Sequence, residues 1–170
     1  AWAGIRRTSS RKYLQDERIQ FAELNFANKD KLKEQLSIHK KEHEGWDYII
    51  HCAGVTKCRN KEDFDKGNYV ATVNFVEALQ ELDMVPSHFI YISSLSIFGP
   101  IHEDTYQPIS ENDEAQPNTA YGISKLKSEK YLQGLKNFPF VIYRPTGVYG
   151  PRERDYFLMA KSIKQHIDFA

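Results

Sequence analysis

Short apolar runs recur along this chain, and each is followed by a longer amphipathic segment. That alternation constrains the fold more than any other feature. Residues 2–5, 19–24, 47–52, 89–92 and 140–143 read as strands. The run from Asp47 to Cys52 lies between Gly45 and Gly54 and reads as a buried strand. Residues 29–41 place Leu32, Leu36 and His39 on one stripe, and residues 69–82 place Val73, Val76, Leu79 and Leu82 about a turn apart. Both read as helices, as do residues 119–135 and 152–166. Strand and helix in alternation imply parallel strands joined by crossover helices, an α/β doubly wound sheet.

In such sheets, ligands bind beyond the carboxyl ends of the strands. The residues to watch are therefore Arg6-Arg7, Glu23-Leu24, Ala53-Gly54, Ser93-Ser94 and Arg144-Pro145. The sharpest pattern is Tyr121-Gly122-Ile123-Ser124-Lys125. Positions four apart share a helix face, so the Lys125 ammonium is expected near the Tyr121 phenol. A free tyrosine titrates near 10, too high for a base at neutral pH, and a neighbouring cation favours the phenolate. A phenol tuned in this way can pass a proton to or from an alcohol or carbonyl oxygen. By itself the spacing also marks many exposed helix faces.

Two further motifs add weight. Tyr91-Ile92-Ser93-Ser94-Leu95-Ser96-Ile97-Phe98-Gly99-Pro100 is a strand running into hydroxyls, which either hold a substrate oxygen or merely satisfy a turn. Arg144-Pro145-Thr146-Gly147-Val148-Tyr149-Gly150-Pro151 follows the fifth strand. With these three motifs in order, the chain resembles the extended short-chain dehydrogenase/reductase family, also called the NAD-dependent epimerase/dehydratase family. Ile97-Phe98 stands where that family has Val-Tyr.

The resemblance implies a Rossmann-like sheet in a single partial NAD(P)-binding domain, residues 1–170. It implies Ser94, Tyr121 and Lys125 as the catalytic set, with Lys125 also holding the cofactor ribose. Ser93, Ala53 and Gly54 would lie along the cofactor, Glu23 and Leu24 against its adenine, and Pro145, Thr146 and Val148 around the nicotinamide. Asn68 would support the active-site backbone. Ser94 and Ser96 are expected to meet the substrate, with Arg152 and Arg154 as candidates for an anionic part of it. The family suggests an oxidoreductase or epimerase moving a hydride at a secondary alcohol or ketone of a nucleotide sugar. A flavonoid- or steroid-like ketone reductase and a non-catalytic nucleotide sensor are the alternatives. Ser94-Leu95-Ser96 carries no acids, which argues against dehydration.

Arg6 and Arg7 follow the first strand where an acid would bind a ribose 2′-hydroxyl, and arginine suits a 2′-phosphate. NADP is therefore expected, with NAD as the other possibility. No glycine-rich turn opens the chain, which reads as starting at the family's second strand and stopping before its last. The strands near residues 2–5 and 47–52 are then expected to flank a gap.

Charge and composition close off other classes. Lys plus Arg and Asp plus Glu each number 23, giving no basic surface for nucleic acid or an anionic membrane. No apolar run approaches the roughly 18 residues of a membrane span, and no signal peptide is read at the start. Cys52 and Cys58 match no zinc spacing and read as reduced thiols of a cytoplasmic protein. The six histidines suggest no metal site, although His39 and His43 share a helix face. A homodimer through the helices at 69–82 and 119–135 is expected by family likeness.

Overall fold

The computed structural model describes residues 1–167. Five strands form, β1 (Trp2–Ile5), β2 (Gln20–Glu23), β3 (Tyr48–His51), β4 (His88–Ile92) and β5 (Phe140–Tyr143), and every pairing is parallel. They make two ladders rather than one: β1 with β2, and β3–β4–β5. The inner edges of β1 and β3 pair with no strand among the described residues. A cavity of about 180 Å³ opens there, lined by Trp2, Gly4, Ala22, Trp46, Tyr48 and Ile49, among others. This is the gap expected between the two segments.

The helices cover one face of the sheet. Helix α1 (Lys29–Glu42) starts where the Asn28 side chain accepts from the Lys31 amide at 2.9 Å. Asp30 in its first turn and Lys40 and Lys41 in its last suit the helix dipole. Its buried stripe is Leu32, Leu36 and His39, as the periodicity predicts. A short α2 (Lys61–Phe64) runs through a π-helical turn, Asp65–Val70, into α3 (Ala71–Glu81). This helical stretch begins well before the periodic apolar pattern at 69–82, because its first turns are almost wholly polar. Helix α4 (Ala120–Gln133) is capped by Thr119, whose hydroxyl accepts from the Gly122 amide at 3.0 Å. Leu32 and Leu36 of α1, Phe75, Val76 and Leu79 of α3 and Leu132 of α4 pack on Leu24, Ile49, Phe89 and Tyr91.

The opposite face is open, so β3 is not buried on both sides as its apolar run suggests. Ile49 and His51 point into the core, whereas Tyr48 and Ile50 are exposed. Val141 and Tyr143 of β5 are exposed on the same side, in register with Ile90 and Ile92 of β4. The last helix, α5 (Asp155–Lys164), buries no residue and begins three residues later than the sequence suggests. No described helix is long and apolar enough to cross a membrane.

Candidate active site

The carboxyl end of β4 turns sharply. The Ser93 amide donates to the Tyr143 carbonyl at 2.7 Å and the Leu95 amide to the Pro145 carbonyl at 3.0 Å, so the strand end stays laced to the β5 exit. A 3-10 turn, Leu95–Ile97, follows, capped by the Ser94 hydroxyl, which accepts from the Ser96 amide at 3.1 Å. Helix α4 comes in against this turn because Gly122 has no side chain. A Cβ there would stand 2.3 Å from the Ser96 carbonyl oxygen. Gly99, at φ +62°, makes the same kind of approach to the Gln116 carbonyl.

That contact sets Tyr121, in the first turn of α4, beside Ser94. The serine hydroxyl is close enough to act on the phenol's ionisation, and Phe64 packs edge-on at 6.3 Å. One turn on, Lys125 is only 5% exposed. Its ammonium donates to the Ile92 carbonyl at 2.7 Å and lies over the Tyr91 ring, 4.8 Å from the centroid. Burial lowers its pKa to about 8, with Cys52 and Glu129 pulling the other way.

One expectation needs correction. Tyr121 is not brought down by Lys125: burial pushes the phenol above its ordinary value, opposed only by the Ser94 hydroxyl. The reason is geometric. The ammonium is already engaged by the Ile92 carbonyl and the Tyr91 face rather than by the phenol.

Asn68 sits on the π turn, where the extra residue per turn alters the facing of the helix. Its side-chain oxygen accepts from the Val55 amide at 2.8 Å, and its nitrogen donates to the Val55 carbonyl at 3.1 Å and the Ser124 hydroxyl at 2.9 Å. It thus pins the loop after β3 to α4. A Cβ on Gly54 would lie 2.6 Å from that side-chain oxygen. Beneath, the Thr72 hydroxyl donates to the Asn68 carbonyl at 2.7 Å, which leaves its oxygen to accept from His51 Nε2 at 3.0 Å.

Two cavities flank this centre. One of about 540 Å³ is lined by Ser94, Ser96, Thr119, Pro145, Thr146 and Gly147, among others. The other, about 370 Å³, lies at the ends of β1 and β3 and takes in Arg6, Asn25, Ala53, Gly54 and Lys66. Other candidate residues fall outside both. Arg7 and Glu23 are exposed, Leu24 faces the core, and Val148 is 71% exposed. Ser93 is buried, and its hydroxyl has no hydrogen-bond partner among the described residues. Arg152 lies over the Tyr13 ring at 4.4 Å, and Arg154 stands at the start of α5.

Several site residues carry no signal of their own in the sequence. Asn25 and Lys66 enter the second cavity only through topology. Glu129 has a signal in its spacing, which repeats the four-residue step from Tyr121 to Lys125. Its buried carboxylate takes a two-pronged contact from the Arg144 guanidinium, with Nη2 at 2.8 Å and Nε at 3.2 Å. Among the described residues, no group of three or more His, Cys, Asp or Glu is placed to hold a metal.

Comparison with known proteins agrees with the geometry. The family model described as "NAD dependent epimerase/dehydratase family" matches residues 2–168. The Vibrio cholerae UDP-glucose 4-epimerase is 33% identical over 114 residues, covering 61% of this chain and 33% of that protein. The Pseudomonas aeruginosa GDP-6-deoxy-D-mannose reductase is 31% identical over 126 residues, covering 70% of this chain and 41% of that one. Among solved structures, the Bacillus cereus UDP-glucuronic acid 4-epimerase in complex with NAD superposes with a TM-score of 0.68 at 28% identity. That match covers 90% of this chain and 47% of the other. The chain spans about half or less of the length of these relatives. It belongs to the NAD-dependent epimerase/dehydratase family.

Proposed function

We propose that this chain carries the proton-handling centre of a nucleotide-sugar epimerase or reductase that works with a nicotinamide cofactor. The observation that carries this reading is the Ser94 hydroxyl beside the Tyr121 phenol, with the Lys125 ammonium one helical turn behind. The names of the matched relatives point to UDP- and GDP-linked sugars.

The residues present fit the cofactor. The side-chain-free Gly54 backbone, a cavity at the carboxyl ends of β1 and β3, and a buried ammonium beside it make a surface for an anionic dinucleotide. Ala53, Gly54 and Lys125 would hold it, with Pro145 and Thr146 closing the far side. When bound, a nicotinamide supplies the hydride acceptor or donor.

The chain's own residues do the rest. Ser94 holds the reacting sugar oxygen by hydrogen bonding, with Ser96 next to it. Tyr121 gives that oxygen its proton or removes it. Lys125 stays cationic below about pH 8 and sets the local potential. The upward pull of burial on Tyr121 means that the phenol is neutral at rest and suited to donate. It acts as a base only when further positive charge gathers beside it. Arg6 favours NADP over NAD by its place at the end of β1. A homodimer would use the outer sides of α3 and α4, where Val70, just before α3, and Ile123, on α4, are exposed.

The test is turnover of UDP- and GDP-sugars by the protein with Tyr121 and with Tyr121→Phe, alongside titration of both cofactors. Losing the phenol's proton should cost on the order of a hundred- to ten-thousand-fold in rate with cofactor affinity nearly unchanged. Retained turnover would reject the assignment, and tighter NAD than NADP binding would reject the cofactor preference.

A further inference from the structure

Lys125 is an unusual cation. It is buried, and no carboxylate lies within ion-pair distance of it among the described residues. An ammonium has three donors and needs compensation when withdrawn from water. One hydrogen goes to the Ile92 carbonyl. The titratable groups acting on it are few: His51 at the end of β3, Cys52 just after it, and Glu129 from its own helix. His51 is held neutral by burial, and the Cys52 thiol is pushed up by burial. Glu129 is committed to Arg144. The remaining contact is the face of Tyr91, a fully buried ring on β4.

We infer that Tyr91 is a positioning residue. Its ring face holds the Lys125 ammonium charged and aimed across the carboxyl end of the sheet, by a cation–π contact in place of an ion pair. The inference rests on the role proposed above for Lys125, and no motif points to it, since Tyr91 reads simply as a core residue of β4. A centroid distance of 4.8 Å is within the range in which aromatic faces attract ammonium groups, and the attraction strengthens when water is excluded. The phenol itself stays neutral, because burial raises its pKa to about 12. What Lys125 meets is therefore a π face and not a phenolate. A carboxylate in that place would hold the ammonium more strongly, but it would also cancel the positive potential that the site presents to an anionic ligand.

The experiment reads the titration of Lys125 directly, from isotope-labelled lysine side chains in the full chain, with Lys125→Arg used to assign the signal. Tyr91→Phe keeps the ring and should leave the titration of Lys125 in place. Tyr91→Leu removes the π face and should lower it by about one pH unit. An unchanged midpoint in Tyr91→Leu, or an equal drop in Tyr91→Phe, would overturn the inference. If Tyr91→Leu does not fold, fluorinated phenylalanines at position 91 keep the shape while draining charge from the ring face. The midpoint must then fall with each added fluorine, and a flat series overturns the proposal. Because the readout is ionisation and not turnover, its failure is distinguishable from failure of the oxidoreductase reading, which Tyr121→Phe tests.

Discussion

The Arg144 guanidinium reaches from the end of β5 to the Glu129 carboxylate on α4, which is almost wholly buried. The closest approach is 2.8 Å. Arg144 also donates to the Glu111 carbonyl at 3.4 Å and lies over the Phe98 ring. One side chain thus ties α4, the exit of β5 and the loop before α4 into a frame around Ser94 and Tyr121.

Cutting that frame should be costly, because removing one partner strands a charge away from water. Arg144→Met is expected to lose about 3 kcal/mol of stability. Arg144→Lys should recover only part, since a lysine cannot make the forked contact. Urea unfolding of the three proteins checks this, and a loss under about 1 kcal/mol for Arg144→Met would mean that Glu129 finds another partner.

Acid should weaken the fold before the carboxylates titrate. Burial lowers the pKa of His51 to about 3 and also lowers that of His39. The unfolded chain therefore binds protons that the folded chain refuses. Stability is present above the unfolded value near 6.5 and is lost as pH falls toward the folded value. The slope from His51 should be about 1.4 kcal/mol per pH unit between roughly pH 6 and 5. In His51→Gln that slope should shrink to the share left by His39. Equal slopes in the two proteins would show that His51 is not held neutral.

Much of this was legible in the residues, for stated reasons. Leu32, Leu36 and His39 lie on the buried stripe of α1 because a three-to-four-residue period can put side chains on one face only. Ser94 follows the end of β4 and Tyr121 lies in the first turn of α4, and both placements are readable because strand ends and helix faces follow from pattern. The direction of the Lys125 ammonium was not, since a four-residue step brings two side chains near each other without saying which neighbours win. The π turn at Asn68 was hidden because Lys61–Lys66 carries charge without apolar period. The open face of β3 was hidden because an apolar run says that a strand can be covered on both sides, not that it is.

The meeting of α4 with the serine turn depends on Gly122, which makes a comparison with Gly134 informative. Alanine is favoured over glycine inside a helix by about 1 kcal/mol. Gly122→Ala should nonetheless destabilise by about 1–3 kcal/mol, because the new Cβ meets the Ser96 backbone. Gly134→Ala adds only ordinary contacts, from 3.4 Å outward, and should be neutral or stabilising. Thermal unfolding of both variants decides, and a stabilised Gly122→Ala would mean that the helix is free to retreat from the turn.

Neighbouring residues on β3 should respond in opposite ways to the same substitution. Ile49 is 8% exposed and faces Phe75 and Leu79, whereas Ile50 is 63% exposed and lies in register with Ile90 and, beyond it, Val141. Parallel sheets are ordinarily covered on both faces, so this apolar row is a surface on which isolated chains can associate. Ile49→Lys places a charge in the core and should abolish cooperative unfolding. Ile50→Lys should change stability by no more than about 0.5 kcal/mol while reducing self-association and the binding of an apolar dye. Sedimentation and dye titration of the two variants check the pair. If Ile50→Lys unfolds the chain as Ile49→Lys does, both faces of β3 are covered in solution.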